Sequence, residues 1–419
     1  MWPGTAIAWV DVDADGIRDE GEPSLPGVRF YVDDVRNGFE KVGEGVSDWY
    51  GEASFSVWLP GCPRVEFEVY PEVPAGYRLT TPLRLSASRA LEFGFGYLPG
   101  VPTVTPRFPA PTCTAYPLYP HVDAFLEGMV VASDGTVWIA TAGAGVAQLD
   151  PSSESWTVYT TEGGLAANTV RGIDLAPDGV LWFGTDGGVS RFDGSIWTTY
   201  TDQDGLVYNG VRDVAVALDG TVWFATAQGI SRFDPQTGAW TMDAAGQIFT
   251  AIGVTSDGTV WAAVPFKEVA RNSPSETPGE GRKWRTYKQH ASLSSVEEIA
   301  VAPDDTIWFT SYDGVSHYTP VTDRWVHYAS DGVDVLLPDE HTTGIAIGPD
   351  ASVWIGTNSG GVVRFIPASE KSGTDVWIIY DTRSGLVANH ITHIAFAPDG
   401  AVWFGTGDYL NRCVLGVGE

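Results

Sequence analysis

A chain of 419 residues, 43% apolar and 12% aromatic, is long enough for two or more packed domains and too apolar to remain unfolded. Its formal net charge of -29 repels phosphate backbones and anionic lipid headgroups, which argues against nucleic acid as a partner and suits divalent cations and basic or neutral ligands. Three cysteines, Cys62, Cys113 and Cys413, are too few for a disulfide scaffold and lack the spacing of a zinc site, and no apolar run reaches the length of a membrane span.

The opening MWPGTAIAWV lacks the basic-then-apolar layout of an export signal, so the chain either stays inside the cell or continues upstream. The first motif follows at once in DVDADGIRDEGE. It sets out the oxygen donors of a calcium loop: Asp11, Asp13, Asp15, the backbone carbonyl of Ile17, Asp19 directly or through water, and Glu22, with Gly16 at the sharp turn. Magnesium asks for tighter octahedral geometry, and the absence of His and Cys argues against zinc. TAIAWV before the loop alternates as a strand does, and Pro23 and Pro26 follow it, so no helix pair flanks the loop. A clamp between strands is expected rather than a switch that opens helices.

Short alternating runs such as ASFSVWL and RVEFEVY, bounded by Gly and Pro, predict a small β-sandwich over residues 1–98. The segments WVDVDADGIRDEGEPSLPGVRFYV, SDWYGEASFSVWLPG and VPAGYRLT resemble the calcium-binding B domains of bacterial surface adhesins of the Sdr and Cna type. That resemblance implies an immunoglobulin-like sandwich serving as a stiff extracellular stalk without catalysis. Residues 99–118 read as a linker, since the stretch Pro99 to Pro120 carries seven prolines in 22 residues.

From residue 119 to 419 the sequence repeats. DGTVWIATAGAGVAQLD, DGVLWFGTDGGVSRFD and DGTVWFATAQGISRFD are near copies, and marker tryptophans recur at Trp138, Trp182, Trp223, Trp261, Trp308, Trp354 and Trp403. Each unit holds four strand signals separated by D-G and Gly-rich turns, which predicts an all-β ring, a seven-bladed propeller. The last unit has room for three strands only. Thr114 to Pro120 is the candidate to supply its outer strand, which would bring Cys113 towards Cys413 and permit a disulfide across the closure; the alternative is two free thiols. A residue as large as Trp at one place in every unit is read as sheet packing, and the Asp of each D-G pair as a turn former.

The units resemble two-component regulator propeller repeats, known from sensor regions of bacterial hybrid kinases and other exported proteins. This implies ligand recognition outside the cytoplasm, at the cell surface or in the periplasm. Neither a kinase nor a receiver motif accompanies them. A site is expected where the repeat is broken, at the start of the innermost strands. Counting back from each D-G pair gives Glu127, Arg171, Arg212, Thr250, Glu297, Thr343 and Thr392, all polar and read as a wet funnel. Two positions earlier lie His341 and His390 in adjacent units, candidates with Asp339 and Glu340 for a metal or an acid–base pair.

The expectation is a monomeric, exported binding protein that takes a carbohydrate, small molecule or protein on the funnel face, with calcium in its stalk. The competing class is a lyase or hydrolase of a polysaccharide or cyclic ester acting around His341 and His390. Streptogramin lyases share such a repeat architecture, although their catalytic positions find no match here residue by residue.

Overall fold

The D-G pair that opens each repeat sets the geometry of its first hairpin. In the computed structural model, Asp134, Asp178, Asp219, Asp257, Asp304, Asp350 and Asp399 each accept the backbone N–H two residues on. The following residue takes the left-handed conformation that the tight turn needs, as at Gly135 (φ 89°) and Gly220 (φ 84°). These acids are committed to turns.

The structure describes residues 2–10, 28–34, 39–46, 52–57, 67–71, 77–79, 85–86 and 91–97, then 111–415 apart from 266–267, 275–282, 288–295, 330–336 and 368–375. The chain divides into two units, one of residues 1–107 and one beginning at Phe108. In the first, Trp2–Val10 pairs antiparallel with Glu52–Val57 and parallel with Leu91–Tyr97, and a second four-stranded sheet forms around Arg29–Asp34. Phe30 and Val32 are fully buried while Arg29 and Tyr31 are only partly so, the period of two expected of a strand with one covered face. The calcium-loop residues Asp11, Asp13, Asp15, Ile17, Asp19 and Glu22 lie outside the described residues.

The second unit is a seven-bladed, all-β propeller of seven four-stranded antiparallel sheets. The innermost strands are Leu126–Val131, Val170–Leu175, Val211–Val216, Ile252–Val254, Val296–Val301, Thr342–Ile347 and His393–Phe396. Each neighbours the next, and the last neighbours the first, so the ring closes. The second strand of every blade is buried along its length, and its tryptophan packs on the following blade: Trp182 lies 5.4 Å from Phe233, Trp308 5.2 Å from Phe365. A sheet that is apolar on both faces is stable only between two like it, which is why the tryptophan recurs.

The seventh blade borrows its outer strand. Thr112–Pro117 pairs antiparallel with Tyr409–Val414, placing Cys113 opposite Cys413, and the two form a disulfide across a sequence separation of 300. The strand therefore starts two residues before the expected Thr114 and ends at Pro117. The proline-rich stretch 99–118 is correspondingly not linker throughout, because residues 112–117 belong to the ring. Pro117 is tolerated at the end of an edge strand, where a missing N–H breaks no ladder.

Candidate functional site at the mouth of the ring

The chain enters every blade at the start of its inner strand, so the entry loops and the turns between second and third strands share one face, and the D-G turns share the other. Three entry loops carry the same short code, GGLAAN, DGLVYN and SGLVAN. In each the leucine is buried (Leu165, Leu206, Leu386) and the asparagine side chain (Asn168, Asn209, Asn389) accepts an N–H from seven residues earlier, curling the loop over the blade. The loops are thereby held to a fixed shape.

Inner strands begin with a bulge. The register shifts between Leu126 and Gly128, Val170 and Gly172, Val211 and Asp213, Val296 and Ile299, and Thr342 and Ile345. The residues passed over are Glu127, Arg171, Arg212, Glu297 with Glu298, and Thr343 with Gly344, which include five of the seven named from sequence; Thr250 and Thr392 stand just before their strands with hydroxyls turned to the carbonyls of Ala263 and Gly405. A bulge residue is unpaired in the ladder and its side chain is re-aimed, so the polar series has a common structural origin.

The series separates into groups with different partners. Arg171 grips Asp186 through two bonds of 2.7 and 3.0 Å and lies 3.9 Å from Glu127. Burial raises the Glu127 carboxyl above its usual range, and Arg171 opposes that rise. Across the mouth, burial likewise raises Glu297, opposed by the nearby His341 and by a hydrogen bond from the Tyr312 hydroxyl. The Tyr312 and His341 rings stack with centroids 4.0 Å apart. An acid, a phenol and an imidazole thus stand together at the junction of the fifth and sixth blades.

His341 and His390 flank one turn. The Asn358 N–H donates to the His341 carbonyl at 3.0 Å, and the Asn358 carbonyl meets His390 Nδ1 at 2.9 Å, so that nitrogen carries the proton. Asp339 accepts the His341 N–H and the Ser359 hydroxyl, a turn-holding role. Among the described residues no three His, Cys, Asp or Glu side chains come together as a metal site. The pairing of His341 and His390 with Asp339 and Glu340 as metal ligands is therefore not assembled.

Sequence reasoning missed Asp186, Tyr312 and a set of half-buried acids on the inner strands. Asp174, Asp213 and Glu298 each accept a backbone N–H from the next inner strand, of Val216, Ile252 and Ile345, at 2.7 to 2.8 Å. Burial pushes these carboxyls up to about 6, 7 and 8. An acid inside an otherwise apolar strand, directly after a polar bulge residue in VRDVAV and VEEIAV, was the available signal for two of them.

Known structures with this geometry exist, whereas no family model and no curated protein matches the chain. Virginiamycin B lyase from Staphylococcus aureus is 16% identical with a TM-score of 0.56, over 73% of this chain and 99% of that one. The extracellular domain of a putative hybrid two-component system of B. thetaiotaomicron is 15% identical with a TM-score of 0.56, over 88% of this chain and 43% of that one. YCF48 bound to D1 peptide is 14% identical with a TM-score of 0.55, over 75% and 98%. At such identities the likeness establishes the propeller fold. Function has to come from the site.

Proposed function

We propose that this protein is an exported recognition module that binds its ligand on the entry face of the propeller, with the N-terminal unit as a calcium-stabilised, immunoglobulin-like stalk. The observation that carries the reading is the cluster of Glu297, Tyr312 and His341: a carboxyl raised above its usual range, a half-exposed ring and an imidazole gathered at the open mouth of a rigid scaffold. Arg171, held by Asp186, and the exposed Arg212 supply donors on the same face. Export is supported by the Cys113–Cys413 bond, since such bridges persist outside the reducing cytosol. One structural neighbour is itself an extracellular domain of a two-component system. Among the described residues no helix is long and apolar enough to cross a membrane.

The test is a thermal-shift and calorimetric titration of oligosaccharides and peptides of each charge, with Tyr312→Ala/His341→Ala as the comparison. A ligand that raises the melting temperature of the native chain and not of the folded variant supports the reading; binding unchanged in the variant moves the site elsewhere. For the stalk, calcium titrated into the chain should bind in the native sequence and fail in Asp13→Asn/Asp15→Asn, because the loop loses two of its anionic donors.

A second reading, a propeller lyase or hydrolase, is favoured by the raised Glu297 carboxyl in contact with a phenol, a pairing suited to proton transfer. It predicts turnover that disappears in Glu297→Gln while ligand capture survives.

A further inference from the structure

The entry face carries exposed rings and aliphatic groups where the loops leave the blades. Phe125 is 78% exposed and Tyr312 53%, with Tyr208 and Ile248 also exposed on the same side. Apolar groups left uncovered on a rigid face mark an interaction surface.

Charge decides what would cover them. On this face Asp123, Asp202, Asp313, Glu340 and Asp408 are exposed and hold no ion pair among the described residues. The opposite face carries acids without an ion pair among the described residues too, Glu154, Asp178 and Asp219 among them, but there Arg191, Arg364 and Arg412 neutralise Asp193, Asp350 and Asp399. Arg171 on the entry face is spent on Asp186 and Glu127, and Arg212 stands there without an ion pair among the described residues, near enough to Glu127 to act on its charge. The uncovered rings are thus set among unmatched carboxylates, an arrangement that attracts organic cations through both ion pairing and the ring faces.

The occupant is extended rather than small. Two cavities of about 120 and 350 Å³ are lined in part by Arg271 on the other side of the ring. On the entry face the rings and acids are spread around the mouth over five blades, beyond the reach of a single amine. We propose that this face docks a basic polypeptide segment, whose lysine or arginine side chains lie over Tyr208 and Tyr312 against Asp202, Asp313 and Glu340 while Phe125 and Ile248 take apolar contacts. The proposal rests on the reading of the entry face as the recognition surface and names its partner.

The experiment is fluorescence anisotropy with a labelled lysine–alanine peptide of about twelve residues, long enough in extended form to cross the mouth, beside its glutamate counterpart and a sulfated oligosaccharide. Because a chain of net charge -29 attracts any polycation, two variant sets with the same change in net charge are compared. Asp202→Asn/Asp313→Asn/Glu340→Gln alters the entry face, and Ile196→Lys/Leu218→Lys/Val321→Lys alters exposed positions on the other. The entry-face set is expected to weaken binding about tenfold and the other set by less than about twofold. Tyr208→Ser/Tyr312→Ser, which leaves the charge unchanged, is expected to weaken it about fivefold. Equal weakening by the two charge sets, or no effect of the tyrosines, overturns the proposal as uniform charge attraction. Capture of the oligosaccharide in place of the basic peptide also overturns it, while leaving the entry face as a binding surface.

Discussion

Two residues in the first-hairpin turns depart from the repeat and show what each turn position does. Asp305 and Ala351 occupy the glycine place with φ of 61°. A Cβ in the left-handed region costs about 1 kcal/mol or more, which glycine avoids. Asp305 offsets this cost, since its carboxylate binds the backbone N–H of Ser256 at 2.7 Å and its hydroxyl at 2.5 Å, joining the fourth blade to the fifth. Ala351 has no such partner to gain. Ala351→Gly is therefore expected to stabilise the protein by about 1 kcal/mol, and Asp305→Gly to destabilise it despite relieving the same backbone. Chemical denaturation of the two variants checks the opposite signs; stabilisation by both would mean that the Ser256 bonds contribute nothing.

At the level of elements, the ring is only as closed as its seventh blade. Thr112–Pro117 is an edge strand, and the Cys113–Cys413 bond fixes it to the last strand of the chain, closing a loop of 300 residues. In the chain-entropy description such a closure stabilises by about 6 kcal/mol at most, and loss of a native bridge commonly costs about 2 to 5 kcal/mol. Cys113→Ser/Cys413→Ser should lower the melting temperature and raise deuterium uptake first at residues 112–117 and 409–414; uniform uptake around the ring would mean that the closure is not the weak point. Blades were readable from sequence because they are local: a D-G turn, a Gly-rich turn and period-two strands are written within each unit, and the borrowed strand followed from counting three strands where four were needed. Five of the seven polar positions counted from the D-G pair fall on a bulge for a related reason, since the bulge recurs in register with that pair. Contacts between blades were not. The bonds from Asp174, Asp213 and Glu298 to the next inner strand, and the stacking of Tyr312 on His341, join positions whose proximity is set by the ring and by no local pattern.

Those same bonds make the whole ring sensitive to pH. Asp174, Asp213 and Glu298 are raised to about 6, 7 and 8 in the fold, from roughly 4 in an unfolded chain. The folded state binds their protons more tightly, so their contribution to stability is full below about pH 4 and is lost as pH rises through the folded values. His393, lowered by burial to about 4, acts in the opposite sense: its contribution is present at neutral pH and is lost as pH falls from about 6.5 towards 4. Asp150, held down to about 2 by its serine hydrogen bonds, likewise loses its contribution only in acid. Three carboxyls outweigh one imidazole between pH 4 and 6, and above 6.5 Asp213 and Glu298 act without opposition from it. The melting temperature of the propeller should therefore fall from pH 5 to pH 9, most steeply between about 5 and 7. Asp213→Asn/Glu298→Gln should flatten that slope while lowering the plateau, because both Asp213 oxygens accept a backbone N–H, of Val214 and Ile252, and an amide has one oxygen to do so. Scanning calorimetry across the range decides the matter: an unchanged slope in the double variant would place the titration on other groups and leave these two acids as simple ties between inner strands.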